Sequence, residues 1–579
     1  MVVDENSWIH PCTFYVNQSI HRRHQQCLTA PLFCMVNVYL SQSWAASLDG
    51  LAWDDTTMMN FGRKALAVDP VGNTYIVGHY ADPSLDIGGV PFVNQGGVDI
   101  LVYKMSPSGE QVWVRSLGGD GDDQAFYVAT DDAGAVYVYG TSSSSSIAFA
   151  PVTLLLPSAY QQSTFIVKLD ASTGDALWAK SLVGDLQHLG GVVASSSGDS
   201  VYLTGDFRGG NITMDGLTLI NSDSAMSQGY VTGDGFVVKL SSTSGEVVYG
   251  RTLGGVGQDT ISMVVGDSEG SIYITASSSF PNVTFGSQAL TVPSAYIMKV
   301  DPAGEVGWVT GILGASGFID CTVDSSGSII MLGFLFTSKF LTIGSMTVTN
   351  EVGFEAGFVA KLSPFTGETM WVSLVGQMAG MANGVRPMGL ATDGCDRILV
   401  GGFFSSTPLT IGTEVISTTN GGSDIFLTRI TPGGSVEVAV TFGGPNDDHI
   451  WGLGMTSTKH LILVGSFSLT FNEPGSSRGS SIDDGTMPTI SAVSLVSDFM
   501  ADVSIAKLVV DLDVPWVISL YRMSAIHVVM TQYPTMPTPM AMAFLISTSP
   551  DQPGIKWYKW MTLLEGSPGT KPMPVLTTA

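Results

Sequence analysis

Carboxylate side chains recur at one position of this 579-residue chain, four residues after the last glycine of a repeated Leu-Gly-Gly segment. These residues, with their acidic or histidine neighbours, are Asp54, Asp55, Asp120, Asp122, Asp123, His188, Asp259, Asp447, Asp448 and His449. Oxygens that meet at one radius could hold Ca²⁺ or another hard cation, or a cationic ligand. In the competing interpretation, an Asp beside a tight turn accepts hydrogen bonds from backbone amides. The sequence has no Asp-x-Asp-x-Asp-Gly calcium loop.

Groups that could perform catalysis are sparse. His188 and His449 could act as general acids or bases. The chain contains no Gly-x-Ser-x-Gly elbow and no His-Glu-x-x-His motif. The glycines between Gly118 and Gly121 precede a strand pattern, whereas a dinucleotide-binding loop precedes a helix. We therefore predict no catalytic residue and no cofactor, with Ca²⁺ as the one candidate ion.

These candidates belong to a pattern that recurs seven times between Trp44 and Leu508, with a period of 59 to 71 residues. Each copy contains Trp-x-x-Ser-Leu-Gly-Gly, Asp-x-x-Gly-x-Val-Tyr-Val-x-Gly and Phe-Val-x-Lys-Leu, or a variant of them. A unit of short strands at this period cannot bury its apolar face alone, so neighbouring units must stack. We predict an all-β fold: a seven-bladed β-propeller of four-stranded blades, A to D, with long B-to-C loops, over residues 44–520.

Three repeated positions have a structural interpretation. Asp at the first position of an Asp-x-x-Gly turn should accept amide hydrogen bonds, as at Asp69, Asp131, Asp267 and Asp324. A cation on strand C should contact acidic or aromatic groups, and it recurs as Lys104, Lys168, Lys239, Lys299, Lys361, Arg429 and Lys507. Large aromatic residues open strand D and should pack between blades: Trp44, Trp113, Trp178, Tyr249, Trp308 and Trp371.

The repeat bears on two further details of the ring, its last strand and its loops. The D-strand pattern occurs eight times, so either residues 44–48 or residues 516–520 supply the fourth strand of the last blade. A secondary pattern in the B-to-C connections predicts short extra hairpins near residues 85–88, 283–286, 341–344 and 409–412. Loops on a rigid ring are the usual location of recognition.

The repeat resembles the seven-bladed β-propeller repeat (SBBP) family, which is found chiefly in extracellular and cell-surface proteins. The resemblance lies in residues 165–170 with Trp178, in residues 113–123 and in residues 131–140. It implies a seven-bladed fold and a secreted or surface setting. It brings no catalytic residues, since the family shares none.

Composition limits the partners. The formal net charge of −26 disfavours nucleic acid and anionic membranes. No apolar run reaches the roughly 18 to 20 residues that a membrane helix requires. We predict an N-terminal extension over residues 1–43 with a candidate signal segment, and an irregular Pro- and Met-rich tail over residues 521–579. Asn211 and Asn282 begin glycosylation acceptor triplets.

The sequence therefore predicts a non-enzymatic, monomeric, secreted or cell-surface propeller that recognises a protein or glycan through its loop-bearing face. One alternative is a secreted polysaccharide hydrolase or lyase that uses carboxylates and histidine at the channel mouth. Another is a structural matrix component.

Overall fold

The computed structural model describes residues 39–48, 64–87, 89–157, 163–222, 232–351, 355–378, 384–405, 408–416, 422–443, 447–456, 460–466 and 503–511, and four short strands between residues 540 and 563. These residues form antiparallel β-sheets and no helix. The prediction of an all-β fold is confirmed. Asp54, Asp55 and residues 516–520 lie outside the described residues.

Seven successive groups of strands follow the sequence pattern, and they are called repeats 1 to 7 here. An N-terminal strand, β1 (Tyr39–Leu48), precedes them. Repeat 1 contains β2 (Leu66–Val68), β3 (Thr74–Tyr80), β4 (Ser84–Ile87), β5 (Val90–Val93), β6 (Asp99–Met105) and β7 (Gln111–Leu117). Repeat 2 contains β8 (Asp123–Thr130), β9 (Val136–Ser142), β10 (Ser146–Phe149), β11 (Val152–Leu155), β12 (Ser163–Leu169) and the first part of β13 (Ala176–Ala194). Repeat 3 contains the rest of β13, β14 (Ser200–Met214), β15 (Leu217–Ile220), β16 (Asp234–Ser241) and β17 (Val247–Gly255).

The second half of the chain continues in the same order. Repeat 4 contains β18 (Asp259–Gly266), β19 (Ile272–Ser278), β20 (Asn282–Phe285), β21 (Gln288–Thr291), β22 (Ala295–Val300) and β23 (Val306–Leu313). Repeat 5 contains β24 (Gly317–Val323), β25 (Ile329–Leu335), β26 (Phe340–Ile343), β27 (Met346–Thr349), β28 (Ala356–Leu362) and β29 (Thr369–Met378). Repeat 6 contains β30 (Val385–Thr392), β31 (Ile398–Phe404), β32 (Leu409–Ile411), β33 (Glu414–Ile416), β34 (Asp424–Ile430) and β35 (Val436–Phe442). Repeat 7 contains β36 (His449–Met455), β37 (His460–Ser466) and β38 (Val503–Asp511).

The N-terminal strand supplies the fourth strand of repeat 7. Its sheet has the order β1-β38-β37-β36, and Trp44 pairs with Lys507. The same pairing joins Trp113 to Lys104 within repeat 1. Of the two alternatives for this strand, the structure therefore shows the N-terminal one.

First strands of consecutive repeats lie side by side. β2 contacts β8, β8 contacts β13, β13 contacts β18, β18 contacts β24, β24 contacts β30, and β30 contacts β36. The last of these strands, β36, also contacts β2.

Hairpins between the second and third strands extend the sheet of the preceding repeat. The three strands β20, β26 and β32 pair with β17, β23 and β29, which are the last strands of repeats 3, 4 and 5. The predicted hairpins are confirmed as β4–β5, β20–β21, β26–β27 and β32–β33. Two more, β10–β11 and the end of β14 with β15, were not predicted.

In repeats 1, 2 and 4, the repeated cation and aromatic residue bind the next repeat through one shared carbonyl oxygen. In repeat 2, Lys168 Nζ and Trp178 Nε1 donate to the carbonyl of Ser242, at 2.8 and 2.9 Å. Lys104 and Trp113 share Ala171 O in the same way, and Lys299 and Trp308 share Pro364 O. The predicted structural role of these positions is confirmed.

The aspartate of an Asp-x-x-Gly turn contacts both its own turn and an aromatic ring that the repeated cation also contacts. Asp69 Oδ1 accepts hydrogen bonds from the amides of Val71 and Asn73, and Oδ2 accepts one from the hydroxyl of Tyr75. Lys104 Nζ lies 5.0 Å from the centre of the same tyrosine ring. The aspartate therefore forms the turn, as predicted, and it also orients the aromatic ring.

The chain divides into two compact units: Phe33–Gly485 with Ala492–Trp516, and Met1–Leu32 with Thr486–Ser491 and Val517–Ala579. The first contains β1 to β38. Described residues of the second pair as β39 (Met540–Ala541) with β42 (Thr562–Leu563), and as β40 (Ser547–Ser549) with β41 (Gln552–Lys556). Within the described residues no helix has the length and apolar character needed to cross a membrane.

Candidate functional site

Asp123, Asp259 and Asp448 occupy equivalent positions at the start of a repeat. Their amides donate to the carbonyl oxygens of Val98, Gly233 and Ser423, each at 2.7 Å. The three side chains are buried, with 0%, 0% and 2% of their surface exposed. They lie inside the contacts between repeats, and an external ligand would not reach them without a structural change.

The buried carboxylates differ in how well they are hydrogen-bonded. Asp123 Oδ2 accepts hydrogen bonds from the Gly119 amide and the Ser144 hydroxyl, both at 2.8 Å. Burial raises the pKa of Asp123, and these donors partly oppose the increase. Burial also raises the pKa of Asp259, to about 7. Within the described part of the chain, no three His, Cys, Asp or Glu residues are grouped closely enough to hold a metal ion.

His188 and His449 lie one residue later in strand register than the buried aspartates. His449 directly follows Asp448, and a bulge separates His188 from Leu186. Side chains of successive strand residues point to opposite faces, so the histidines do not join the aspartates in one ring. His188 Nδ1 instead lies 3.1 Å from Asp206 Oδ2, and about half of the His188 side chain is exposed.

Asp206 is the buried partner of this histidine. Burial raises its pKa, while the hydrogen bond and the charge of His188 act in the opposite direction. A buried carboxylate that orients an exposed imidazole is an arrangement that can transfer protons. The ring of His449, in contrast, lies against Phe403, with 4.1 Å between the ring centres.

The remaining acidic candidates are exposed and bind loop backbone. Asp120 accepts hydrogen bonds from the amide and hydroxyl of Ser145, which lower its pKa. Asp447 Oδ1 accepts one from the Ser423 amide at 2.7 Å. At Asp122 the contact is made by the backbone instead, because its amide donates to the Ser143 hydroxyl at 2.7 Å. Asn211 and Asn282 are exposed on strands β14 and β20.

Sequence reasoning missed a second set of buried aspartates. Asp99, Asp234 and Asp424 are fully buried and begin the third strand of repeats 1, 3 and 6. Each stands five residues before the repeated cation, at Lys104, Lys239 and Arg429. That fixed spacing was available in the sequence and could have identified them.

Several large apolar side chains are exposed where the connections between repeats lie beside the connections between second and third strands. Exposed fractions are 51% for Phe280, 42% for Phe336 and 58% for Phe340, and Val256 and Leu313 are exposed too. The amide of Phe336 donates to the hydroxyl of Ser316, which lies between β23 and β24. These five apolar residues, called the loop-face apolar set here, therefore lie at the end of the sheets that carries the connections between repeats.

No protein-family model matches the sequence, and no curated protein is significantly similar to it. Among solved structures, a protein of unknown function from Bacteroides caccae aligns over 60% of this chain and 92% of its own, at 8% identity and a TM-score of 0.30. An acylaminoacyl peptidase aligns over 62% of this chain and 59% of its own, at 9% identity and a TM-score of 0.25. A puromycin-hydrolyzing peptidase of Mycobacterium tuberculosis aligns over 64% and 62%, at 12% identity and a TM-score of 0.27. Likenesses this distant carry no argument about function.

Proposed function

We propose that this chain forms a closed seven-bladed β-propeller of the SBBP type and acts as a non-enzymatic scaffold, secreted or at the cell surface, that recognises a protein or glycan ligand. Repeats 1 to 7 are its blades, and the loop face is the end of the sheets that carries the B-to-C and D-to-A connections. The observation that carries the recognition role is the loop-face apolar set.

Contacts between distant repeats support closure of the ring. The first strands contact one another in chain order, and the last contacts the first. Lys64 Nζ lies 3.7 Å from Asp320 Oδ1, although these residues belong to repeats 1 and 5. Residues of repeats 1, 5, 6 and 7 also line one small cavity, to which Lys64, Asp320, Met388 and Trp451 contribute. Seven inner strands around one axis would place these side chains together.

The exposed phenylalanines support a recognition role because the fold does not bury them. Large apolar side chains that stay grouped at the surface mark binding sites more often than isolated ones do. Phe280 and Phe336 follow the second strands of consecutive repeats, β19 and β25. The propeller would hold them rigidly, which reduces the entropy lost on binding.

His188 and Asp206 favour a second candidate, a polysaccharide hydrolase or lyase. The exposed imidazole with a buried carboxylate behind it could act as a general acid or base. This candidate requires that cleavage of a glycan depend on His188 and not on the loop-face apolar set.

Binding assays with the full chain separate these candidates. The protein is applied to a glycan array and to an array of extracellular proteins, and polysaccharide turnover is measured in parallel. We expect binding that is lost when Phe280, Phe336 and Phe340 are all changed to Ser. Phe365→Ser is the matched control, because Phe365 is 80% exposed in the turn between β28 and β29.

Two results would contradict the recognition proposal. Binding that survives the triple substitution would remove the role of the loop-face apolar set. Polysaccharide cleavage that disappears in His188→Ala but persists in the triple variant would establish the hydrolase or lyase instead.

A further inference from the structure

Three connections between blades bring two buried aspartates together. The pairs are Asp99 with Asp123, Asp234 with Asp259, and Asp424 with Asp448, and they are called carboxyl junctions here. In each, the amide of the second aspartate donates to the carbonyl of the residue before the first one, at 2.7 Å. The first aspartate begins strand C of one blade, and the second begins or directly precedes strand A of the next.

A glycine makes room for each pair. A Cβ atom added to Gly118, Gly254 or Gly443 would lie 2.1 Å from an atom of Asp99, Asp234 or Asp424. The same atom on Gly443 would lie 3.1 Å from Asp448 Oδ2, so both carboxyl groups of that junction border one small space.

The two aspartates occur together. In repeats 2, 4 and 5, Ser163, Ser294 and Ala356 replace the first aspartate. Val183 and Leu313 replace the glycine in repeats 2 and 4, whereas repeat 5 keeps a glycine, Gly376. Gln187, Ser316 and Val385 stand at the position of the second aspartate. An aspartate that served only its own turn would not require a second aspartate on another strand, so the junction behaves as one structural unit.

No cation of the described residues lies beside Asp99, Asp123 or Asp259. Asp99 accepts a hydrogen bond from the Gln95 amide, while its Oδ1 is buried without a hydrogen bond. Burial and the charge of Asp123 both raise the pKa of Asp99. The groups that face Asp123 are Ser142, Ser144, the Gly119 amide and the carboxylate of Asp120.

The second junction has the same character. Ser222 donates to Asp234 through its amide and its hydroxyl. Neither oxygen of the fully buried Asp259 accepts a hydrogen bond of good geometry, although Ser278 and the Gly255 amide lie near enough to affect its pKa. The charge of Asp234 adds to the effect of burial there. Two carboxylates in such a site cannot both remain ionised without a large free-energy cost.

We propose that the Asp99–Asp123 and Asp234–Asp259 junctions each bind one proton, so that the hydroxyl of one aspartate donates to the carboxylate of its partner and links consecutive blades. The proton comes from solvent and returns to solvent when the pair ionises, so the junction changes by one charge and no other bond is made or broken.

The pH dependence follows from the direction of the pKa shifts. The folded chain retains a proton that an unfolded aspartate has already released, so the proton contributes stability at low pH. That contribution is lost as pH rises from the ordinary aspartate pKa of 3.8 through the folded-state pKa of about 7 at Asp259. The junctions should therefore weaken near neutral pH and above.

The test compares the full chain with Asp259→Asn, Asp99→Asn and, as a matched control, the exposed Asp82→Asn, all in the presence of a chelator. Asn keeps the shape of a protonated aspartate and donates an N–H to the partner, but it cannot ionise. Between about pH 5 and about pH 9, we expect a smaller fall in Tm for the two junction variants than for the unchanged chain. At the upper pH their Tm should exceed that of the unchanged chain, and Asp82→Asn should follow the unchanged chain.

Infrared spectroscopy measures the proton directly. The unchanged chain should show the C=O stretch of a protonated carboxyl group at neutral pH, and the band should be weaker in both junction variants. An unchanged band in the variants, or an identical Tm profile, would overturn the proposal. So would a rise in Tm on adding Ca²⁺ that is present in the unchanged chain and absent in Asp259→Asn, because the junction would then be a cation site.

Discussion

The carbonyl of Ser242 provides a quantitative test of how consecutive repeats are held together. It accepts hydrogen bonds from both Lys168 and Trp178 of the preceding repeat. Either donor alone can still satisfy this buried carbonyl. We therefore predict that Lys168→Met and Trp178→Phe are strongly non-additive in the free energy of unfolding.

The expected magnitudes follow from the contacts. Trp178→Phe removes one neutral hydrogen bond, worth about 1 kcal/mol, together with some buried ring surface. Lys168→Met removes a charged donor and a contact with the ring of Tyr137. It also removes the cost of burying a charge, which is the cause that lowers the pKa of this lysine. We therefore expect a loss of about 1 to 2 kcal/mol in the free energy of unfolding. The double variant leaves Ser242 O without either donor, which adds about 1 to 3 kcal/mol beyond the sum.

Urea denaturation followed by circular dichroism measures these free energies. Repeat 3 supplies the matched control, because Lys239 donates to Pro302 O at 3.0 Å and Tyr249 replaces the tryptophan. Lys239→Met with Tyr249→Phe should therefore show no coupling through a shared acceptor. A double variant of repeat 2 whose loss of unfolding free energy equals the sum of the single losses, within about 0.5 kcal/mol, would refute the shared-acceptor reasoning.

Two further predictions concern the carboxyl junctions and the N-terminal strand. Gly118→Ala should cost about 1 to 3 kcal/mol, because its Cβ would overlap the carboxyl group of Asp99, and adding Asp99→Ala should restore part of the loss in calorimetry; a larger loss in the double variant would contradict this. Deleting residues 1–48 should expose the edge of β38 and cause concentration-dependent association in light scattering, whereas deleting residues 1–38 should not. A monomeric, equally stable protein without residues 39–48 would show that another segment covers this edge.

The sequence predicted those features that recur at a fixed spacing with a local cause. Asp69 forms its turn with residues two and four positions away. Lys104 and Trp113 face each other on adjacent strands. Such contacts depend on strand geometry that every repeat shares, so one correct alignment of the repeats was sufficient.

Other features depend on contacts that spacing alone does not reveal. His188 was aligned with Asp123 by counting from a glycine, but the bulges in β13 place it one residue out of register. Asp99 stands in a largely apolar strand, and its partner Asp123 comes from the next repeat. The exposure of Phe280 and Phe336 depends on which surfaces neighbouring hairpins cover, and no local pattern distinguishes them from core phenylalanines.

The hairpins between the second and third strands affect how the chain could be recombined. Because β20, β26 and β32 each continue the sheet of the preceding repeat, the fourth strand of one repeat and the hairpin of the next must match in shape and register. A repeat moved from one position to another would lie beside a hairpin whose sequence fits a different neighbour. The smallest segment that could be exchanged in a chimera therefore extends past the repeat boundary to the end of the following hairpin.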